Sequence, residues 1–445
     1  MTECSTQLGF DFYKKSTLTV DFQGGDLSSD GGLLLVRQAD ERLGLLKQLA
    51  GCILDWRNPL FITHTLEDQV RQRVYQICAG YEDADDSDDL RKDPVLKIAC
   101  DRLPTEEQDL ASQPTITRLE NRVDKHSMSA IRESFVRQFI AGYSQAPESL
   151  VLDIDGWDDE THGGQQLTFF NGYFDQHMYF PVQINEAKTG KPIVLLLRPG
   201  NSHPGKGVKV VLAWLLWRLK RAWPEVSITV RGDCGFSLPE LKRVCQRLGA
   251  EYVFGIASNC VLKKKSSDLL ERARLQFHRT GHKARLFDDV YYQAKSWAAP
   301  ERVIMKAEWL EKGPNPRYLV TSRLDDPQWL YDQFYVQRGE TCENRIKELK
   351  AGLKADRLSC HAFHANQFRL YLHQAAYWLM LEIRDAAQGT VFEKAQVSRL
   401  RDQLIKLGAR VRLTARRVWV QMASACPWKE VITIVCSRLV EPLRC

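Results

Sequence analysis

Two short apolar runs that each end on an aspartate constrain this 445-residue chain most. In Leu150-Val151-Leu152-Asp153-Ile154-Asp155, apolar and acidic residues alternate with the two-residue period of a β-strand, so Asp153 and Asp155 project from one face. Ser227-Ile228-Thr229-Val230-Arg231-Gly232-Asp233 is a β-branched run, followed by Cys234-Gly235-Phe236 as a turn and a helix predicted from Leu238. Asp233 therefore stands at a strand's C-terminal end, where open α/β sheets hold their ligands. A third acid has a different setting: the chain reads as helical from about Thr341, with Glu343, Lys347 and Lys350 at i, i+4 and i+7 on one face. Carboxylates drawn from such elements are costly together unless a cation neutralises them, and all-oxygen sites suit Mg²⁺ or Mn²⁺. Two ions roughly 4 Å apart can hold both the attacking and the leaving oxygen of a phosphodiester. Lys347 and Lys350 add positive charge for a phosphate backbone.

The elements around these acids follow a recognisable order. After the Asp155 strand come a hairpin (178–185 and 192–198, about Lys188-Thr189-Gly190-Lys191), a buried helix (207–223), the Asp233 strand, a helix (238–248) and a strand (251–256). That is the order of a ribonuclease-H-like α/β domain. The expected organisation is a mainly helical region over 1–149, the first part of the catalytic domain over 150–257, a basic β-rich insertion over 258–326, the second part with the Glu343 helix over 327–408, and a basic tail over 409–445.

In the first region a short strand is expected at 17–22, with Asp30 capping a helix that enters Leu33. Further helices are expected at 66–79, opened by Thr65 with Asp68 behind it, and at 130–143. A Thr117/Glu120 capping box would start another helix, exposing Arg118 and Arg122 to phosphates or simply to solvent. The insertion carries strand-like pieces at 290–294, 302–308 and 318–321. Later helices are expected at 364–383 and at 391–407, the second closed by Gly408. In the tail, Arg410, Arg412, Arg416 and Arg417 beside Val418-Trp419-Val420 suggest a basic hairpin, structural or DNA-binding.

A net charge of +6 is modest, and its distribution matters more. Residues 261–306 hold eleven Lys or Arg against five Asp or Glu, an excess equal to that of the whole chain. Lys263-Lys264-Lys265 and the stretch 272–285 resemble an electrostatic footprint for nucleic acid, the alternative being a solvated face. Met1-Thr2-Glu3-Cys4 begins no signal sequence, and the longest apolar run, near 210–217, is too short for a bilayer. A cytoplasmic protein with no membrane partner is expected. The cysteines include no Cys-x-x-Cys pair, and Cys360-His361-x-x-His364 lacks a partner cluster, so neither disulfides nor zinc are assigned.

Several segments carry a family resemblance. Leu152-Asp153-Ile154-Asp155, Phe169-Phe170-Asn171-Gly172-Tyr173, Leu197-Arg198-Pro199-Gly200-Asn201, Arg231-Gly232-Asp233-Cys234-Gly235-Phe236 and Glu343-Asn344-Arg345-Ile346-Lys347-Glu348 resemble those of bacterial insertion-sequence transposases of the D-D-E type. That group shows a Tyr, Arg, Glu, Lys signature and is similar in plan to the piggyBac transposases. Gly80-Tyr81-Glu82-Asp83, Leu90-Arg91-Lys92-Asp93-Pro94, the run from Gln113 to Asn121 and the run from Ala365 to Leu370 extend the similarity over about residues 20–380, in the family's order.

The resemblance implies a ribonuclease-H-like fold and metal-dependent strand cleavage and transfer at terminal inverted repeats. It also implies double-stranded DNA as substrate and target, nucleoid association when DNA-bound, and at least a dimer on DNA. Asp155, Asp233 and Glu343 would hold two Mg²⁺ ions, with Asp153 and Glu340 as rivals; Arg338, Lys347 and Lys350 would position phosphates. Tyr335 and Trp297 serve either DNA packing or the core. Two departures favour an alternative, a catalytically decayed DNA-binding copy or repressor: Trp157 stands where many relatives carry Thr or Ser, and four residues rather than three separate Arg338 from Glu343.

Overall fold

The computed structural model describes residues 8–10, 12, 15–105 and 108–441. The expectation for Met1 to Cys4 lies outside the described residues. The chain forms two compact units: Cys52–Leu54 with Glu120–Gln374, and Asp55–Leu119 with the first 51 residues and Ala375–Leu443. The helix Phe363–Ala386 divides between them. Among the described residues no helix is long and apolar enough to cross a membrane.

The unit holding Glu120–Gln374 is built on a mixed sheet. Its strands are β1 (Ser149–Gly156), β2 (Val182–Glu186), β3 (Pro192–Leu196), β4 (Ser227–Gly232), β5 (Glu251–Ile256), β6 (Ala284–Tyr292), β7 (Glu301–Leu310) and β8 (Arg317–Thr321), in the spatial order β6-β7-β8-β5-β4-β1-β2-β3. β1, β4 and β5 are parallel; the flanking strands are antiparallel. The central strands are covered on both faces, as parallel strands require, so that Ile228 to Gly232 are all buried although Thr229 and Arg231 are polar. Parallel neighbours need crossovers. These are α1 (Val208–Ala222), which buries Val208, Val211, Leu212, Leu215, Leu216 and Leu219, and α2 (Pro239–Arg247), which starts on a proline preset for the first turn.

Two expectations change in this unit, and a third at the start of the helix Gln113–Arg122, most of which belongs to the other unit. The segment 178–185 is not one strand: Gln176–Tyr179 pairs in a small sheet with Asp159–Glu160 and Phe169–Asn171, and β2 begins after Pro181, whose missing N–H breaks the ladder. The helix containing Arg118 and Arg122 starts at Gln113, not at Thr117. Pro114 suits its first turn, and Asp88 accepts the Gln113 N–H at 3.0 Å, so the predicted capping box lies inside the helix. The expected β-rich insertion opens with two helices, Cys260–Lys265 and Ser267–Thr280, the first capped by Asn259, whose Oδ1 accepts from Val261 and Leu262 at 3.0 Å each. Its strands β6 to β8 then join the main sheet through β5.

The other unit is mainly helical. Leu66–Ala79 opens with the predicted reciprocal cap: Thr65 Oγ1 accepts the Asp68 N–H at 3.1 Å and Asp68 Oδ2 accepts the Thr65 N–H at 3.0 Å. Asp30 does not cap the next helix, Leu33–Leu43, whose cap is Gly32. Its buried carboxylate instead meets Lys406 Nζ at 3.0 Å and the Tyr81 hydroxyl at 2.9 Å. Gly408 is likewise not the helix stop; the helical segment ends at Ile405, where the Gly31 and Gly32 N–H groups take the carbonyls of Leu407 and Ile405 at 2.8 and 3.0 Å. The tail forms the expected hairpin, β9 (Ala409–Thr414) and β10 (Arg417–Met422), with Leu27–Ser28 added beside β9.

A Cβ on Gly32 would lie 1.8 Å from the Leu404 carbonyl oxygen, a backbone atom that cannot swing aside. Gly32→Ala is expected to lower the stability of this unit by about 1–3 kcal/mol through overpacking, read as an earlier first transition in urea unfolding.

Candidate catalytic carboxylate site

The register of the parallel β1–β4 pair sets the site. Arg231 lies beside Asp153 and Gly232 beside Ile154, so the next residue along, Asp233, comes level with Asp155 at the strands' C-terminal ends. Both acids line one cavity of about 530 Å³, which falls within the roughly 300–1,000 Å³ of small-ligand sites. Asp155 Oδ1 accepts the Gly156 N–H at 2.9 Å and Oδ2 accepts from Arg338 Nη1 at 2.7 Å. Burial pushes the Asp155 carboxyl up to about 6; Arg338 pulls it down, and the neighbouring Asp233 charge pushes it further up. Asp233 Oδ1 accepts the Gly235 N–H at 2.9 Å and caps the turn Cys234–Phe236.

Asp153, the rival on the same strand face, is committed elsewhere. It is fully buried and forms a two-pronged pair with Arg231, Nε to Oδ1 at 2.6 Å and Nη2 to Oδ2 at 2.8 Å. The Thr341 hydroxyl donates to its Oδ2 at 2.6 Å and accepts from Arg231 Nη2 at 2.9 Å, while Arg231 Nη1 donates to the Phe334 carbonyl. These bonds fasten the helical stretch 327–352 to the ends of β1 and β4. Nothing in the local sequence pattern assigns Arg231 or Thr341 this role.

That stretch is unusually wound. Leu330–Tyr335, Gly339–Glu343 and Glu348–Gly352 make wide i→i+5 turns, with Asn344–Lys347 regular between the last two. In a regular helix residues five apart point roughly 140° away from each other; a wide turn brings them back to one side. The extra residue between Arg338 and Glu343 is absorbed in this way, and Arg338 Nη2 lies 3.4 Å from Glu343 Oε1. Arg338 thus bridges Asp155 and Glu343, whereas Glu340 is exposed and has no ion pair with Arg338.

The remaining predicted residues are dispersed. Lys347 is exposed, but Lys350 Nζ is paired with Asp158 Oδ1 at 2.9 Å. Lys263, Lys264 and Lys265 are exposed on their short helix; Arg118 is exposed and Arg122 half-buried. Tyr335 packs on the cluster Val253, Ile304, Leu319 and Leu330, and Trp297 is buried under Lys242 Nζ, 3.4 Å from the ring centroid. Trp157 is also buried.

Two motif segments build the cavity's far wall. Asn171 Nδ2 donates to the Gly200 carbonyl at 2.8 Å, and a Cβ on Gly200 would meet the Met178 and Phe169 carbonyl oxygens at 2.0 and 2.6 Å. Buried Arg198 donates to the carbonyls of Phe180, His203, Pro204 and Lys206, which holds the loop 199–206 in place. Burial without an acid partner draws its pKa down to about 10.

The donor set fits a hard divalent cation in chemistry. Asp155, Asp233 and Glu343 offer only carboxylate oxygens, and the single positive charge of Arg338 offsets one of the three negative charges. Among the described residues no three acidic, His or Cys side chains are gathered closely enough to ligate one ion, and Arg338 is bonded to both Asp155 and Glu343.

The family model for "Transposase DDE domain group 1" matches residues 10–443, nearly all of the chain. The chain belongs to this transposase family. It is a DNA-cleaving transposase, and enzymes of this kind generally use divalent metal ions. No curated protein matches it. Among solved structures, it is similar to a piggyBac transposase synaptic complex with hairpin DNA, at 13% identity and a TM-score of 0.45, over 93% of this chain and 83% of that one.

The raised Asp155 carboxyl means that the folded transposase holds this proton more tightly than the unfolded chain does. In the metal-free protein the resulting stabilisation is full below about pH 4 and is lost as pH rises through about 6. Asp155→Asn should flatten that decline. Asp153→Asn should instead cost about 3–5 kcal/mol, because it strands buried Arg231. Urea unfolding at pH 4.5 and 7.5 separates the two outcomes.

Proposed function

We propose that this transposase cuts and rejoins double-stranded DNA at the terminal inverted repeats of its own insertion sequence, with Asp155, Asp233 and Glu343 as its catalytic acids. The observation that carries this reading is the pairing of Asp155 and Asp233 at adjacent parallel strand ends in one cavity, with Arg338 linking Asp155 to Glu343. The sheet order, with β1, β4 and β5 parallel and β2 and β3 as an antiparallel extension, supports a ribonuclease-H-like catalytic core. We assign that core to 150–257 and 327–408, with 258–326 as an insertion within it, 1–149 as a DNA-binding region and 409–445 as a basic tail.

Asp155, Asp233 and Glu343 would hold two Mg²⁺ ions. When bound, such ions supply positive charge to both the attacking and the leaving oxygen of a phosphodiester. The chain's own residues position the reactants. Asp155 is largely ionised at neutral pH, since its carboxyl titrates near 6. Arg338, already bonded to two of the acids, can turn its charge to a phosphate once they are neutralised. Exposed Lys347 and the exposed Lys263-Lys264-Lys265 run, with Arg118 and Arg122, would hold backbone phosphates without reading sequence. Lys350 would contribute through Asp158, next to the Asp155 strand, before any phosphate. Handling two element ends requires at least a dimer on DNA.

The test is cleavage of a labelled duplex that carries the inverted repeat flanking the gene, with Mg²⁺ or Mn²⁺. Asp155→Ala, Asp233→Ala and Glu343→Ala should each reduce cleavage by roughly 10²–10³-fold or more while leaving DNA binding in place; Glu340→Ala should leave cleavage near wild type. Specific binding by the wild-type protein with no cleavage in either metal would favour the repressor reading instead.

A further inference from the structure

The β9–β10 hairpin has two unlike faces. Its register sets Arg410 opposite Gln421, Arg412 opposite Trp419 and Thr414 opposite Arg417, so these six side chains share one face, and all six are exposed. The other face carries Ala409, Val411, Leu413, Val418, Val420 and Met422, with Ala409 and Val411 buried in the unit. The ribbon is anchored rather than loose: Ala409 pairs with Ser28, and the Val411 N–H donates to the Asp26 carbonyl at 2.8 Å.

Charge on the exposed face is uncompensated. Residues 409–422 contain four arginines and no Asp or Glu. Among the described residues, Arg410, Arg412, Arg416 and Arg417 make no ion pair, whereas Arg37, Arg42 and Arg71 of the same unit are all held by carboxylates. Trp419 shares this face and is 47% exposed, with the Arg417 guanidinium 5.9 Å from its ring centroid. Arginines free of acids, an aromatic ring and an amide on one twisted two-stranded ribbon match the donors that grip phosphates and base edges. A ribbon of this width enters the major groove of B-form DNA.

We propose that this face of the β9–β10 ribbon is a docking surface for double-stranded DNA, with Arg410, Arg412 and Arg417 on phosphates and Trp419 against the groove wall. The proposal rests on DNA being the substrate but not on the identity of the catalytic acids.

Its test is the salt dependence of binding of the full-length protein to a random-sequence duplex, followed by fluorescence anisotropy over a NaCl series. Each phosphate contact contributes about 0.9 to the slope of log affinity against log salt. The triple variant Arg410→Ala, Arg412→Ala, Arg417→Ala should therefore lose roughly 0.9 per arginine, and the same three positions changed to Lys should keep the slope. Trp419→Ala should weaken binding at an unchanged slope. A folded triple-Ala variant with the wild-type slope would overturn the proposal. Hydrogen exchange on the wild-type protein tests it without substitutions: DNA should protect 409–422, and binding that leaves this segment unprotected overturns the ribbon alone. Wild-type protein that fails to bind the duplex at all overturns the ribbon and the DNA reading together.

Discussion

The buried pair between Asp153 and Arg231 is the interaction on which the candidate site depends. Two charges removed from water are tolerable only when every remaining donor and acceptor is used. Here the carboxylate takes both prongs of the guanidinium and a threonine hydroxyl, while the guanidinium also reaches a backbone carbonyl. Because those partners lie on β1, β4 and the 327–352 stretch, their geometry fixes where Asp155, Asp233 and Arg338 can stand. The acid that looks most like a second ligand on the strand is thus the one that holds the site together.

The wide helical turns solve a spacing problem. One residue too many between Arg338 and Glu343 would, in a regular helix, swing them apart; the i→i+5 turn over Gly339–Glu343 keeps Glu343 beside Arg338, which is itself bonded to Asp155. Such turns are poorly packed and rarely long. They persist here because Cys342, Ile346 and Leu349 are buried and Thr341 is bonded to the strands. The departure that seemed to argue for decay therefore leaves Arg338 bonded to both Asp155 and Glu343.

Local chemistry was the legible part of this sequence. Alternation and β-branching located β1 and β4, the Thr65/Asp68 pair located its helix start, and the Arg-rich alternation of the tail located its hairpin. What failed depended on partners distant in the chain. Asp30 looks like a helix cap until Lys406 and Tyr81 claim it, and Gly408 looks like a helix stop until Gly31 and Gly32 dock onto the final turn. Arg231 could not be assigned from sequence because it acts on Asp153 and Thr341, 78 and 110 residues away. The only mark of the wide turns in the sequence is the extra residue between Arg338 and Glu343, which by itself fixes no winding.

The composition of the units carries a consequence for the order in which the molecule is made. One unit joins Asp55–Leu119 to Ala375–Leu443, and the other cannot satisfy Arg231 until Phe334 and Thr341 exist. At the usual pace of synthesis, the early helices wait on the order of tens of seconds for the strand and helices that cover them. A chain that ends before Thr341 holds Asp155 and Asp233 without the full charge network beside them. The arrangement that ties β1, β4 and the 327–352 stretch together thus forms only once Thr341 has been made.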